Sequence, residues 1–218
     1  ILLGPPGAGK TYTGSHVIAE LLRQGKRVAV SSNSHKAINN LLEAVDKRMA
    51  ESGHSYFGMK KVSKADQGIE STNIENVGSD SVILDANPEP RLVGGTAWTL
   101  AKSDFRNSFD YLFIDEAGQV SLANTIAMGM CAKNLVLLGD QMQLGQPIQG
   151  SHPGRSGESA LEYLLDGEPT IAPDKGIFLG VTYRMHPDVC GPVSRLSYDG
   201  RLRAKDDVSG ARRLDGVT

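Results

Sequence analysis

A chain of 218 residues, 39% hydrophobic and with a formal net charge of −2, carries enough apolar mass for one buried domain, or for one domain and part of another. The charge balance excludes an overall basic coat, so contact with nucleic acid must come from local patches or backbone donors. Cys131 and Cys190 stand far apart without zinc-type spacing, no apolar run approaches the ~20 residues that span a bilayer, and no signal peptide opens the chain. These features predict a cytoplasmic protein with no disulfide framework, zinc site or membrane partner.

Ile1-Leu2-Leu3 reads as a strand running into Gly4-Pro5-Pro6-Gly7-Ala8-Gly9-Lys10-Thr11, which fits G-x-x-x-x-G-K-[ST]. A helix comes next, with Val17, Ile18, Leu21 and Leu22 at helical spacing, so strand, loop and helix stand in the order a phosphate-binding P-loop needs. Gly4, Gly7 and Gly9 let the backbone approach a triphosphate without Cβ clashes. Lys10 supplies a point charge for the β and γ phosphates, the Thr11 hydroxyl is a Mg²⁺ ligand, and the helix directs its positive dipole end at the same place. Only Ile1 to Leu3 precede the loop and there is no initiator Met, so the chain reads as a piece of a longer protein.

Val28-Ala29-Val30 predicts the next strand, ending in Ser31-Ser32-Asn33-Ser34, and an amphipathic helix succeeds it with Ala37, Ile38, Leu41, Leu42, Val45 and Met49 on one face. Polar residues there lie at the ligand edge of a parallel sheet, or else form only a loop and helix cap. From Lys47 to Arg91 the periodicity weakens and the charge segregates, which predicts an insertion on the sheet edge at about residues 50–91. Its basic half holds Lys60, Lys61 and Lys64 with His54, Tyr56 and Phe57. That mix suits phosphates and stacked bases, but a solvated surface with aromatics tucked beneath it is the reading it favours.

Leu92 to Thr96 predicts a strand and turn before a short helix through Leu100. Tyr111-Leu112-Phe113-Ile114-Asp115-Glu116 is a continuous apolar strand ending in two acids, a Walker B pattern suited to a parallel strand buried on both faces. Adjacent strand residues point to opposite sides, so Asp115 can serve Mg²⁺ while Glu116 polarises the attacking water. After a helix carrying Leu122, Ile126 and Met130, the strand Leu135 to Leu138 ends in Gly139-Asp140-Gln141-Met142-Gln143, where Gln143 or Asp140 is set to sense a terminal phosphate. Gly150 to Gly157 reads as a mobile loop, Leu161 to Leu165 as a helix, and Ile177 to Leu179 as a strand before Tyr183-Arg184-Met185-His186-Pro187, with Pro187 opening a further helix. Arg195 to Thr218 is polar and weakly patterned.

Taken in order, Gly4–Thr11, Ser31–Asn33, Gly95-Thr96, Asp115–Gln119, Gly139–Leu144 and Tyr183–Pro187 resemble motifs I, Ia, Ic, II, III and IV of superfamily 1 helicases. Tyr-Arg-Met-His-Pro is similar to the branch that includes the nonsense-mediated-decay helicase, and within it to prokaryotic proteins that join a RecB-like nuclease to this helicase. The resemblance implies an α/β, RecA-like P-loop NTPase with a mainly parallel sheet over residues 1–176 and the beginning of a second, truncated RecA-like domain over 177–218. It implies ATP and Mg²⁺ held by Gly4 to Thr11 and Asp115, with Glu116 at the water, Gln143 at the γ-phosphate, Tyr183 near the adenine and Arg184 as an arginine finger. Ser32, Asn33 and Thr96 would touch the backbone of single-stranded DNA or RNA. Thr182 stands where the family usually has Gln, Gly118 where Ser or Ala is common, and the segment after Asn33 is longer.

The expected function is an ATP-driven translocase or helicase on a single strand, moving 5′ to 3′, with a nuclease domain in the same full-length chain and a place in DNA repair. Motifs V and VI are missing, which predicts a mobile Arg184 and slow hydrolysis by this stretch alone. A nucleotide-gated binding switch without unwinding is the alternative, against which the paired acids Asp115-Glu116 speak. A P-loop kinase or GTPase lacks support, since no Asn-Lys-x-Asp guanine signature occurs.

Overall fold

The computed structural model describes residues 1–145, 150, 153–205 and 207. Within the expected Gly150–Gly157 loop, residues 151 and 152 lie outside that set, as do 206 and 208–218 of the polar tail.

Short apolar runs that alternate with amphipathic helices must place the helices on the faces of a parallel sheet. The chain runs through β1 (Leu2–Leu3), α1 (Lys10–Arg23), β2 (Val28–Ser31), α2 (His35–Glu51), β3 (Gly58–Lys61), β4 (Ile74–Val77), α3 (Asp80–Leu84), β5 (Leu92–Gly94) and α4 (Ala97–Leu100). It continues through β6 (Phe109–Ile114), α5 (Leu122–Gly129), β7 (Ala132–Gly139), α6 (Ala160–Leu165), β8 (Ile177–Phe178), β9 (Val181–Thr182), α7 (Pro187–Ser197) and β10 (Arg203–Ala204). The first eight strands form one sheet in the order β4-β3-β5-β2-β6-β7-β1-β8, with every described pair parallel. This is the RecA-like P-loop architecture.

Alternate residues of the central strands feed two cores. Leu2, Val28, Val30 and Phe113 pack with Ile18 and Leu22 of α1 and Ile38, Leu41 and Val45 of α2. Leu3, Ala29, Leu112 and Ile114 face the other way, onto Leu100, Phe105, Val120, Met128 and Leu161. Burial on both faces explains the unbroken apolarity of β6. Ser34 Oγ accepts from Ala37 N at 3.1 Å and starts α2, so the cap function predicted for that stretch is filled.

The stretch at residues 50–91 lies at one edge of the sheet, where β3 and β4 add two parallel strands that bury Met59, Ile74 and Val77. Its basic character is also partly internal. Lys60 is 0% exposed and its Nζ donates to the Gln67 carbonyl, Tyr56 donates its hydroxyl to Asp46 at 3.0 Å, and Phe57 packs against the core. Aromatics tucked beneath a solvated surface therefore describe this region. At the other end, β8 pairs with β1 through Leu2↔Ile177 and Leu3↔Phe178, so the strand at residue 177 belongs to the first sheet. Beyond it, β9, α7 and β10 gather around their own small cluster of Cys190, Tyr198 and Leu202.

Candidate nucleotide site

Parallel strands bring their carboxyl ends to one edge, and three such ends build the site. Leu3 is in register with Gly139, and Gly4 N donates to Gly139 O at 3.0 Å, so β1 and β7 release the P-loop and the Asp140 turn side by side. Ile114 faces Leu137, which brings Asp115 to the same edge. The resulting cavity of about 1030 Å³ is lined by Pro6, Gly7, Ala8, Gly9, Lys10, Thr11, Asp115, Glu116, Gln143, Tyr183 and Arg184 among others. Gly4 and Pro5 lie outside the lining and serve from behind, because Lys10 Nζ donates to Gly4 O at 2.6 Å and to Pro5 O at 3.4 Å.

Burial lowers the pKa of Lys10, with Arg184 adding to the effect, while Asp140, Asp115 and Glu116 pull it back up. Burial also pushes the Asp115 carboxyl up to about 6, with the Glu116 charge adding, against the Glu116 N–H and Lys10. Glu116 itself sits at φ 53°, ψ 39°, a left-handed conformation uncommon for a non-glycine residue, and its N–H donates to Asp115 Oδ1 at 2.9 Å. Both acids line the one cavity, Glu116 from this turn just after β6. The Asp115 carboxylate and the Thr11 hydroxyl line the same cavity. This is the hard oxygen set that suits Mg²⁺, an ion that completes its shell with water and phosphate oxygens.

The segment after β8 adds further residues to the lining, packed against the P-loop itself. Thr182, fully buried, donates through Oγ1 to Pro6 O at 2.9 Å and accepts from Arg184 N at 3.2 Å and Met185 N at 3.4 Å. Tyr183 N donates to Gly7 O at 2.9 Å, and a Cβ at Gly7 would collide with that of Arg184. The backbone of Arg184 is thus linked to the P-loop through Thr182. The hydroxyl of Thr182, at the family's usual Gln position, makes that fastening. Gly118, the other departure, lies so near the Asp140 carbonyl that a Cβ would stand 2.5 Å from it.

Ser32, Asn33 and Thr96 do not reach this cavity. Val30 faces Gly94, and Gly95 N donates to Val30 O at 3.0 Å, so β2 and β5 release Ser32 and Thr96 together farther along the same edge. Ser32 is buried, Thr96 is the N-cap residue of α4, and Asn33 Nδ2 donates to the carbonyl of Gln119, a residue of the cavity lining. Two aromatics that the motifs do not single out stand at these places. Tyr12 lines the cavity, with its ring 4.3 Å from that of His16 and under Arg48 at 4.4 Å. An aromatic directly after the P-loop Thr is the signal in the sequence that marks it. Trp98 is 87% exposed, two residues beyond Thr96.

The model of the AAA domain family matches residues 1–148. The DNA replication ATP-dependent helicase/nuclease dna2 of Schizosaccharomyces pombe is 29% identical over 208 residues, covering 93% of this chain and 14% of that protein. The human DNA replication ATP-dependent helicase/nuclease DNA2 is 26% identical over 215 residues, covering 95% of this chain and 20% of that protein. The chain thus spans only a small part of these relatives' length. Among solved structures, an arterivirus nonstructural protein 10 helicase in complex with DNA shares the fold with a TM-score of 0.58 at 15% identity, covering 93% of this chain and 40% of that one. The PRRSV helicase does so with a TM-score of 0.53 at 18% identity, covering 94% and 34%.

Proposed function

The chain belongs to the AAA domain family, and on that premise we propose that it is the ATP-hydrolysing part of a helicase or translocase that moves 5′ to 3′ along single-stranded DNA. The reading is carried by the convergence of Lys10, Asp115, Glu116, Gln143 and Arg184 on one cavity beside a glycine-rich loop. In it, a triphosphate draws Lys10 Nζ off the carbonyls of Gly4 and Pro5 onto its β and γ oxygens. A Mg²⁺ ion held by Thr11 and Asp115 would neutralise charge developing across those oxygens. Glu116 accepts the proton of the attacking water, Gln143 hydrogen-bonds the γ-phosphate, and Arg184 supplies a second cation. Tyr183 borders the base.

For the strand, the reading assigns Ser32, Asn33 and Thr96, at the ends of β2 and β5, to the phosphate backbone, and Trp98 to a stacked base. Asn33 to Gln119 is then a direct bridge between strand and nucleotide. DNA is preferred to RNA because the named relatives are DNA replication proteins. A nuclease domain elsewhere in the full-length chain and a place in DNA repair belong to the same proposal. So do a cytoplasmic location and a second RecA-like unit that begins after β8, with the first unit ending there.

The experiment is strand-stimulated ATP hydrolysis and strand displacement by the full-length protein and its Glu116→Gln variant. The expected outcome is that the variant binds ATP but loses turnover, since an amide cannot accept the water's proton. Wild-type turnover by the variant would place the base elsewhere. Hydrolysis by the parent with no displacement would favour a nucleotide-gated switch.

A further inference from the structure

Asp140, just past the end of β7, is only 4% exposed, and an acid side chain so buried needs its oxygens hydrogen-bonded. Three donors reach it. Met142 N donates to Oδ1 at 3.1 Å, while Gln143 Nε2 at 2.9 Å and the Tyr198 hydroxyl at 2.8 Å share Oδ2. Two of these come from its own turn, but Tyr198 lies 58 residues on, at the C-terminal end of α7.

We propose that Tyr198 is a positioning residue for Gln143, acting through Asp140, so that the γ-phosphate contact and the β9–α7–β10 unit move as one; the proposal rests on the ATPase reading of the cavity. The hydroxyl is the part of Tyr198 that packing does not require. Its ring is buried with Cys190 and Leu202 and lies 6.1 Å from that of Phe178, contacts a phenylalanine would make equally well. Burial, then the hydrogen bond and charge of Asp140, raise the pKa of Tyr198, so the tyrosine keeps its proton and is the donor. Held by these three hydrogen bonds, the Asp140 side chain in turn holds one N–H of Gln143 and leaves the second for an acceptor in the cavity that Gln143 lines.

The same short unit carries Arg184, just ahead of α7. It meets the first sheet and its flank at Thr182 and Tyr183 on the P-loop carbonyls, at Tyr198 on Asp140, and at Arg201, whose Nη1 donates to Thr170 Oγ1 at 2.7 Å and to Ile171 O at 3.3 Å. A displacement of the whole unit that withdraws Arg184 from the cavity draws on the Tyr198 contact too, and so frees Gln143. A two-position element that touches both groups is the physical requirement for coupling them.

The test is steady-state ATP hydrolysis by the full-length protein, with saturating single-stranded DNA, for Tyr198→Phe, Gln143→Ala, the double variant and Lys10→Ala. Tyr198→Phe is expected to lower kcat about tenfold with KM for ATP within about twofold, and to add nothing in the Gln143→Ala background, since groups that act as a unit are not additive. An unchanged kcat per folded molecule with only a lowered Tm, or losses that multiply in the double variant, would overturn the proposal. Full activity of Lys10→Ala would instead remove the ATPase reading on which it stands. An inactive Lys10→Ala beside an unimpaired Tyr198→Phe would remove this inference alone.

Discussion

Lys10 and Lys60 have been withdrawn from water in the same way and to different ends. Each extends its ammonium to backbone carbonyls, Lys10 to Gly4 and Pro5, Lys60 to Gln67, and burial lowers the pKa of both. Around Lys10, however, stand Asp140, Asp115, Glu116 and Arg184 at the rim of a cavity, whereas Glu43 is the charge that bears on Lys60, at the flank of the sheet. A desolvated cation does not mark a site. The convergence of opposite charges on space that a ligand can fill does, and it arises from where parallel strands end.

Lys10→Ala in the full-length protein separates the two lysines most strongly, because it is expected to remove ATP turnover by deleting the charge aimed at the β and γ phosphates. Unaltered hydrolysis would reduce Lys10 to the status of Lys60. Next in size is Arg184→Ala, where strand-stimulated turnover should fall by roughly 10³-fold while ATP affinity stays within about tenfold, about 1.4 kcal/mol. If turnover survives, the second cation is another residue.

Smaller effects belong to regions away from the cavity. Trp98→Ala should weaken single-strand binding by about 1 to 3 kcal/mol in a fluorescence titration, with ATP hydrolysis at saturating DNA little changed. Equal affinity for parent and variant would take the aromatic out of the strand site. Lys60 should show itself in stability alone. Its pKa is pushed from about 10.5 when unfolded down to about 8 when folded, so between those values the unfolded chain binds the extra proton and stability rises with pH. In Lys60→Met that rise, on the order of 2 kcal/mol, should disappear from denaturation curves recorded from pH 7.5 to 10.5. If parent and variant curves stay parallel, Lys60 is not desolvated in the folded protein. Affinity for DNA should not change.

The basic stretch shows why sequence alone misplaces such a residue. Lys60, Lys61 and Lys64 look alike on paper, yet strand pairing decides which side each faces. Met59 and Lys60 alternate across β3, and Lys60 turns into the space beneath Gln67 while Lys64, beyond the strand, is exposed. Exchanging all three together would confound a lost packing group with a lost surface charge. A strand test there should use Lys61 and Lys64 alone.

Patterns confined to a few consecutive residues determined much of this protein. Gly4 to Thr11 set a loop between strand and helix, the unbroken apolarity of Tyr111 to Ile114 set a central strand, and Asp115-Glu116 came at its end, because backbone sterics and side-chain periodicity act over short distances. The parallel sheet was legible for the same reason. Tertiary structure decided what depends on partners far apart in the chain: β8 beside β1, Lys60 inside rather than outside, Thr182 on Pro6 across 176 residues and Tyr198 on Asp140 across 58. No local pattern encodes those contacts. A hydroxyl finds a buried acceptor only once packing has excluded water from both, so the fastening of Arg184 and Gln143 became visible only in three dimensions.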